Sequence, residues 1–238
     1  MQFQKRRRCT DQIFALRNVI EQTLEWNYPL YMDFINFKKA FDSNNHDTLW
    51  KILRDFGVSP KIISLIENFY NHFECSVLSN SSSEWFLVKS GVRQGCILSP
   101  ILFFVIIDWV MRKTTSDKPS GIQWTLLSQL EEKLDHLLEK TDRLDSYAKE
   151  TGLTISTTKT QVMGINTTPT APVTFNGEPL EFVEDFTYLG SLISKDNGAP
   201  KDIKARLGKA HCAFTKLQNI WKSSQFTSKT KIIIYNVM

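Results

Sequence analysis

The 238 residues predict an α+β protein. Two kinds of pattern alternate along the chain: apolar residues at helical spacing, and short apolar or aromatic runs set beside turn residues. With 42% hydrophobic and 12% aromatic residues there is enough apolar surface for a packed interior, so a wholly disordered chain is excluded.

Thr10–Trp26 reads as a first helix, with Ile13, Phe14, Val19, Ile20 and Leu24 on one face. Pro29 ends it, and Leu30–Phe37 reads as a strand. Leu49, Ile52, Leu53 and Phe56 mark a second helix closed by Gly57. Ser59 and Pro60 supply a cap and a first helical residue for a third, whose buried stripe is expected to be Ile63, Ile66, Phe69, Tyr70 and Phe73. Cys75–Leu78 and Trp85–Val88 flank a serine-rich turn as a hairpin, and Pro100 opens an apolar helix to about Met111. Ser128 with Glu131 forms a capping-box pattern. It predicts a long amphipathic helix through Leu130, Leu134, Leu137, Leu138, Leu144 and Tyr147, stopped at Gly152. Gln161–Ile165 and Phe186–Leu189 read as strands, and Asn176-Gly177 as a type I′ hairpin turn. A last helix carries Ile203, Leu207, Ala210, Phe214, Leu217 and Trp221 on one side.

The formal charge is only +4, but lysines and arginines gather at the two ends, from Lys5 to Arg8 and from Lys201 to Lys231. Such ends suit a phosphate backbone through counterion release, although a solvated surface would look the same. Four scattered cysteines form no CxxC pair and read as reduced thiols of a cytoplasmic or nuclear protein, not a secreted one. No signal peptide is visible and no apolar run is long enough to span a bilayer, so no membrane partner is expected.

The segment Gly91-Val92-Arg93-Gln94-Gly95-Cys96-Ile97-Leu98-Ser99-Pro100 resembles the nucleotide-pocket motif of reverse transcriptases from non-LTR, LINE-type retrotransposons. Two glycines allow close backbone approach to a ligand, and Arg93 and Gln94 offer donors. Four further stretches resemble the same family in the same order. Arg8-Cys9-Thr10-Asp11-Gln12-Ile13 resembles the end of its fingers, and Lys38-Lys39-Ala40-Phe41-Asp42-Ser43 the tail of its first catalytic motif. Gly152-Leu153-Thr154-Ile155 with Lys159-Thr160 resembles the fourth palm motif, and Phe186-Thr187-Tyr188-Leu189-Gly190 the primer grip.

The resemblance implies a right-hand polymerase: partial fingers over 1–28, a palm over 29–195 and the start of a thumb over 196–238. It implies RNA-templated DNA synthesis with two Mg2+ ions. Phe41 would exclude a ribose 2′-OH, Arg93, Gln94 and Gly95 would line the incoming nucleotide, and Lys159 would protonate the leaving pyrophosphate. Arg8, Lys38, Lys39, Tyr188, Leu189, Gly190, Lys204 and Lys209 would meet an RNA or DNA primer–template.

Two departures cut against catalysis. The family places a metal-binding Asp five residues before the aromatic gate, where this chain has Asn36; Asp33 lies at an odd spacing from it, on the other face of the strand. Family members also follow a segment like Ser128-Gln129-Leu130-Glu131 with a hairpin bearing an aromatic-Ala-Asp-Asp turn. Here Glu132-Lys133-Leu134-Asp135 follows instead, and no Asp-Asp pair occurs in the chain. A unit charge at about 4 Å is worth on the order of 4 kcal/mol at an effective dielectric near 20, roughly a thousandfold in rate. The expectation is therefore a palm without its central hairpin, no cofactor held and no catalysis. Losing that hairpin should leave neighbouring strand edges unpaired. Two other readings are a non-catalytic nucleic-acid-binding module and a protein-interaction module working through the 128–147 helix.

Overall fold

The computed structural model describes residues 9–71, 73–78, 83–93, 95–116, 122–125, 128–131 and 133–237; of 122–125, 128–130 and 236–237 only the backbone is described. Cys9–Glu25 is α1 and Leu30–Phe34 is β1. His46–Asp55 is α2 and Pro60–Tyr70 is α3, followed by a two-residue pair, β2 (Glu74–Cys75) and β3 (Phe86–Leu87). Ser99–Ser116 is α4, Ile122–Thr125 is β4, Ser128–Glu131 is β5 and Leu134–Glu150 is α5. After β6 (Gln161–Ile165) come β7 (Thr174–Phe175), β8 (Glu178–Pro179), β9 (Glu181–Phe182), β10 (Asp185–Tyr188) and β11 (Ser191–Ser194). Three helices close the chain: α6 (Ala199–Lys216), α7 (Gln218–Lys222) and α8 (Ser228–Val237).

The central sheet has the order β4-β5-β1-β6-β9. With α4 between β1 and β4, and α5 between β5 and β6, its first four strands form a β-α-β-β-α-β unit. β1 is antiparallel to β5 on one side, Tyr31 opposite Glu131, and to β6 on the other, Met32 opposite Met163. All five residues of β1 are buried, so its two faces serve two cores. Tyr31 joins α2, α3, α4 and α5 in one cluster. Leu30, Met32 and Phe34 join Leu16 and Ile20 of α1, Met163 and Ile165 of β6, and Ile193 of β11 in the other.

Local signals read from the sequence hold where the backbone conformation is set by one or two residues. Ser59 accepts from the Ile62 amide as the α3 cap, with Pro60 in the first turn. Asn176 (φ 50°) and Gly177 (φ 77°) form the β7–β8 turn with Thr174 opposite Pro179. The proposed stripes need amendment: Phe14 is 66% exposed and Phe69 63%, while Leu16 of α1 is buried instead.

The largest correction concerns 128–147. Ser128–Glu131 is a strand, not the first turn of a helix, and α5 begins only at Leu134. A hairpin of β4 and β5 therefore stands beside β1, Ile122 opposite Leu130, and β1 has no open edge. The unpaired edges expected there are absent because pairing with β1 satisfies more backbone groups than a capping box could. The helix of the interaction-module reading is therefore shortened to begin at Leu134, and its Leu134 and Leu138 pack partly buried against the core.

The junction is held by a buried ion pair. Lys140 Nζ lies 2.6 Å from Glu131 Oε1, with side chains 2% and 4% exposed. At the next residue, the Thr141 hydroxyl donates to Asp33 Oδ2 at 2.7 Å, with the Leu137 carbonyl also within reach at 2.9 Å. Removing one member of a buried pair strands the other charge, at about 3–5 kcal/mol, whereas replacing both with apolar residues of similar volume is near neutral. Lys140→Met is therefore expected to lower the denaturant midpoint sharply, and the double variant Lys140→Met with Glu131→Leu to recover most of it. Equal midpoints for single and double variants would show that the pair does not hold the β5–α5 junction.

Candidate functional site

Beyond Phe34 the chain leaves the sheet, yet the strand's alternation persists, since Ile35 joins the Tyr31 side. Asn36 therefore falls on the side of Met32 and Phe34, opposite Asp33, which is 1% exposed beneath α5. The Asn36 carbonyl accepts from the Ser156 amide (2.7 Å), and its own amide donates to Thr160 Oγ1 (3.2 Å). Its side-chain nitrogen donates to the Lys159 carbonyl at 2.9 Å. A bridge between Phe37 and Ile155 and a bond from Lys38 N to Thr154 O (2.8 Å) continue the seam. Two residues expected in one site, Asn36 and Lys159, are thus brought together across 123 positions.

That seam decides whether the residues present suit Mg2+. With its nitrogen held on the Lys159 carbonyl, Asn36 has only a neutral amide oxygen left to offer where a hard cation is best held by an anionic one. No cluster of three or more His, Cys, Asp or Glu suited to a metal occurs among the described residues. Among the described residues the donor set does not fit a two-ion site.

The 91–100 segment lies against the loop that follows Asn36. Gly91 N donates to Asn44 O (2.8 Å) and Val92 N to Phe41 O (2.6 Å). Gly91 has φ 84°, and a Cβ there would stand 2.6 Å from the Asp42 Cα. The close approach needing this glycine is to the chain itself, not to a ligand. Gly95, at φ 83°, is needed for backbone conformation alone, with open space where its Cβ would be. Arg93 is engaged elsewhere: its guanidinium lies 3.8 Å from the Phe73 ring centre and donates to the Phe69 carbonyl at the end of α3. Phe41 is partly exposed, its ring 4.6 Å from Phe103, and Lys38 and Lys39 are exposed beside it. Gln94 and Arg8 lie outside the described residues.

On the same side of the sheet, Leu189 (φ 49°) and Gly190 (φ 83°) turn β10 into β11. Phe186 stacks on Phe34 at 3.9 Å, Tyr188 sits 6.3 Å from it, and the Tyr188 hydroxyl donates to Gln12 of α1. The turn is thereby fixed to the strand that leads to Asn36.

A node that sequence reading missed ties this hairpin to α6. Arg17 Nη2 donates to Ser191 Oγ (3.1 Å), Leu192 O (3.3 Å) and Asp202 Oδ2 (2.9 Å). Asp202 also accepts from the Ser191 hydroxyl and the Leu192 amide, and pairs with Arg206. Burial pushes its carboxyl up. The Leu192 amide, the Ser191 hydroxyl and the Arg206 and Arg17 guanidinium groups outweigh burial, and the carboxyl sits below the usual carboxylate range. An acid in the first turn of α6 was a visible hint; its partner 185 positions away was not. Lys204 and Lys209 stand exposed on the same helix.

The sequence profile of the family described as reverse transcriptase (RNA-dependent DNA polymerase) matches residues 1–193. Among curated proteins, the chain is 30% identical over 110 residues to the Pol polyprotein of the type-2 retrotransposable element R2DM of Drosophila melanogaster, covering 46% of this chain and 10% of that one. It is 26% identical over 91 residues to the R2 polyprotein of Popillia japonica, covering 37% and 14%. It is 25% identical over 175 residues to a putative 115 kDa protein of the R1DM element of Drosophila melanogaster, covering 68% and 16%. Two structures of Candida tropicalis telomerase, one of them with a fragment of telomeric RNA, align over 78% of this chain with TM-scores of 0.53 at 18% and 17% identity. They cover 38% and 31% of those chains.

The chain belongs to the reverse transcriptase family, of the kind carried by non-LTR retrotransposons, and its fold is reverse-transcriptase-like. It spans between a tenth and a sixth of the length of these curated relatives.

Because the Asp202 carboxyl titrates lower folded than unfolded, its contribution to stability is complete above the usual carboxylate range and is lost as pH falls from there through the lower folded value. Asp202→Asn should therefore lower the melting midpoint at pH 7, and the gap from the parent chain should begin to narrow only below about pH 4. A gap independent of pH would mean that the Asp202 charge plays no part in the node.

Proposed function

We propose that this chain is a non-catalytic piece of a retrotransposon polymerase, with partial fingers over 1–28, a palm over 29–195 and the start of a thumb over 196–238. One observation carries the reading: at the family's metal-binding position, Asn36 donates a hydrogen bond to the Lys159 carbonyl. Two-ion phosphoryl transfer holds two cations about 3.5–4 Å apart, clamped by carboxylates. The Asn36 side of β1 offers none: Asp33 points under α5, and Glu131 at the end of β5 is paired with buried Lys140. The aromatic-Ala-Asp-Asp hairpin of the family is absent between Glu131 and Leu134. In this reading β4 and β5 occupy the place beside β1 that it would have taken.

Incubation with a primed RNA template, dNTPs and Mg2+ is expected to give no extension. Asn36→Asp should give none either, because one restored charge, worth about a thousandfold, does not supply the second and third ligands. Templated extension by either protein above a boiled control would refute the proposal.

A second reading, retained binding of nucleic acid, is favoured by the charge of α6. Its first-turn acid Asp202 is buried and neutralised by Arg17 and Arg206, while Lys204 and Lys209 are exposed. Affinity for an RNA–DNA primer–template should fall linearly in log–log form with salt. Changing Lys204 and Lys209 together to Gln should reduce that slope by about 2. Undetectable binding at about 50 mM salt would dispose of this reading.

A further inference from the structure

At an Asn-Gly pair a backbone nitrogen can attack the asparagine side chain, because glycine carries no Cβ to block the approach. The chain has two such pairs, Asn176-Gly177 and Asn197-Gly198. Both asparagines sit in the left-handed region, at φ 50° and 55°. The fold treats them differently.

Asn176 is tied down. Its Nδ2 donates to Asp145 Oδ2 at 3.1 Å, and Asp145 is buried and paired with Lys149. The pairs Phe175–Glu178 and Thr174–Pro179 close its two-residue turn, so rotating its backbone would break the hairpin. Asn197 stands in the loop between β11 and α6. It is less exposed than Asn176, but its side chain has no hydrogen-bond partner among the described residues. Bonds from its own amide to the Ser194 carbonyl (3.1 Å) and from the Ala199 amide to its carbonyl (2.5 Å) shape the loop without holding that side chain. The Gly198 nitrogen donates to no backbone carbonyl among the described residues. It bonds instead to the Asp196 carboxyl, which Lys201, 3.1 Å away, holds below the usual carboxylate range with help from that amide. The proton of the attacking nitrogen thus already rests against an acceptor.

We infer that Asn197 is a self-modification site, which loses ammonia to form a succinimide with Gly198 and is then opened by water to aspartate or isoaspartate, while Asn176 stays intact. In the first step the Gly198 nitrogen gives its proton to Asp196 and bonds to Asn197 Cγ. The Cγ–Nδ2 bond breaks, and the side-chain nitrogen leaves as ammonia with that proton. Water then adds at one of the two ring carbonyls. Opening at Cγ yields an ordinary aspartate; opening at the backbone carbonyl routes the chain through Cβ and lengthens it by a carbon. That carbon falls inside a closed ring, since the Leu192 amide donates to Asp202 Oδ1 at 2.7 Å across ten positions. Aspartate at 197 fits the ring, whereas isoaspartate strains it and loosens the hold of Asp202 on β11. Neither metal nor template enters into this chemistry.

The test is peptide mapping by mass spectrometry of the full chain aged in mildly alkaline buffer, folded and, in parallel, unfolded in urea. In the folded chain Asn197 should convert at least about tenfold faster than Asn176, because only its side chain is free to reach the attacking nitrogen. In urea the two rates should agree within a few-fold. Asp196→Asn should slow Asn197 in the folded chain by about tenfold, less than a better-matched base contributes, because a carboxylate is a weak one. The isoaspartate form, separated by chromatography, should melt below the parent chain, and Asn197→Asp close to it. Equal rates in the folded chain, faster conversion of Asn176, or no conversion of either overturns the inference. An unchanged rate in Asp196→Asn overturns the part given to that residue, and an isoaspartate form that melts like the parent overturns the link to α6.

Discussion

A strand buried on both faces must have its backbone bonded along both edges, because no water reaches its amides and carbonyls. β1 is that strand, and much of the molecule is arranged to meet its requirement. β6 satisfies one edge and β5 the other. Side chains then complete what backbone pairing begins: Glu131 at the end of β5 meets Lys140, and Asp33 in the middle of β1 meets Thr141. Two adjacent residues of α5 are thus tied to two neighbouring strands, which fixes where the helix starts and how it lies on the sheet. Ion pairs of this kind add little net stability over apolar replacements, and their better-attested use is to specify register.

The same strand delivers the candidate site. Its alternation sends Asp33 inward and Asn36 to the opposite side, and it carries Phe34, on which Phe186 stacks. The turn at Leu189-Gly190, the Asn36–Lys159 seam and the Phe41–Phe103 pair are all hung from one short segment. Their arrangement depends on backbone pairing and aromatic packing, neither of which requires a carboxylate. The scaffold of such a site therefore does not depend on carboxylates for its shape. An amide even suits the local bonding better than an acid would: it donates to the Lys159 carbonyl, whereas an ionised carboxylate would place like partial charges in contact.

Motifs set by local backbone geometry were legible in the sequence. Asn176-Gly177 makes a hairpin turn, and Ser59-Pro60 starts a helix. Each of these is decided within a few residues. What escaped was decided at long range. Ser128 to Glu131 has the letters of a capping box, and only the neighbouring β1 makes it a strand. Arg93 looked like a ligand donor from its motif, yet Phe73 and the Phe69 carbonyl claim it. The last helix shows an apolar stripe on one side, but Ile203 and Leu207 are exposed and Asp202 is the residue of α6 that is buried. Periodicity reports which side of a helix is apolar; it cannot say whether anything lies against it.

That inversion on α6 has an electrostatic result. The helix joins the rest of the fold through an acid, and the acid is wholly engaged by Arg17, Arg206, Ser191 and the Leu192 amide. Neutralised at the joint, Asp202 has little charge left to offset the lysines farther along, so Lys204 and Lys209 present an uncompensated positive field to solvent. Attachment and field thus have one origin. A helix docked by apolar burial could have kept its acids for its surface; one docked by a buried carboxylate turns its remaining charge outward, and only a polyanion or an acidic surface lowers the self-energy of that arrangement.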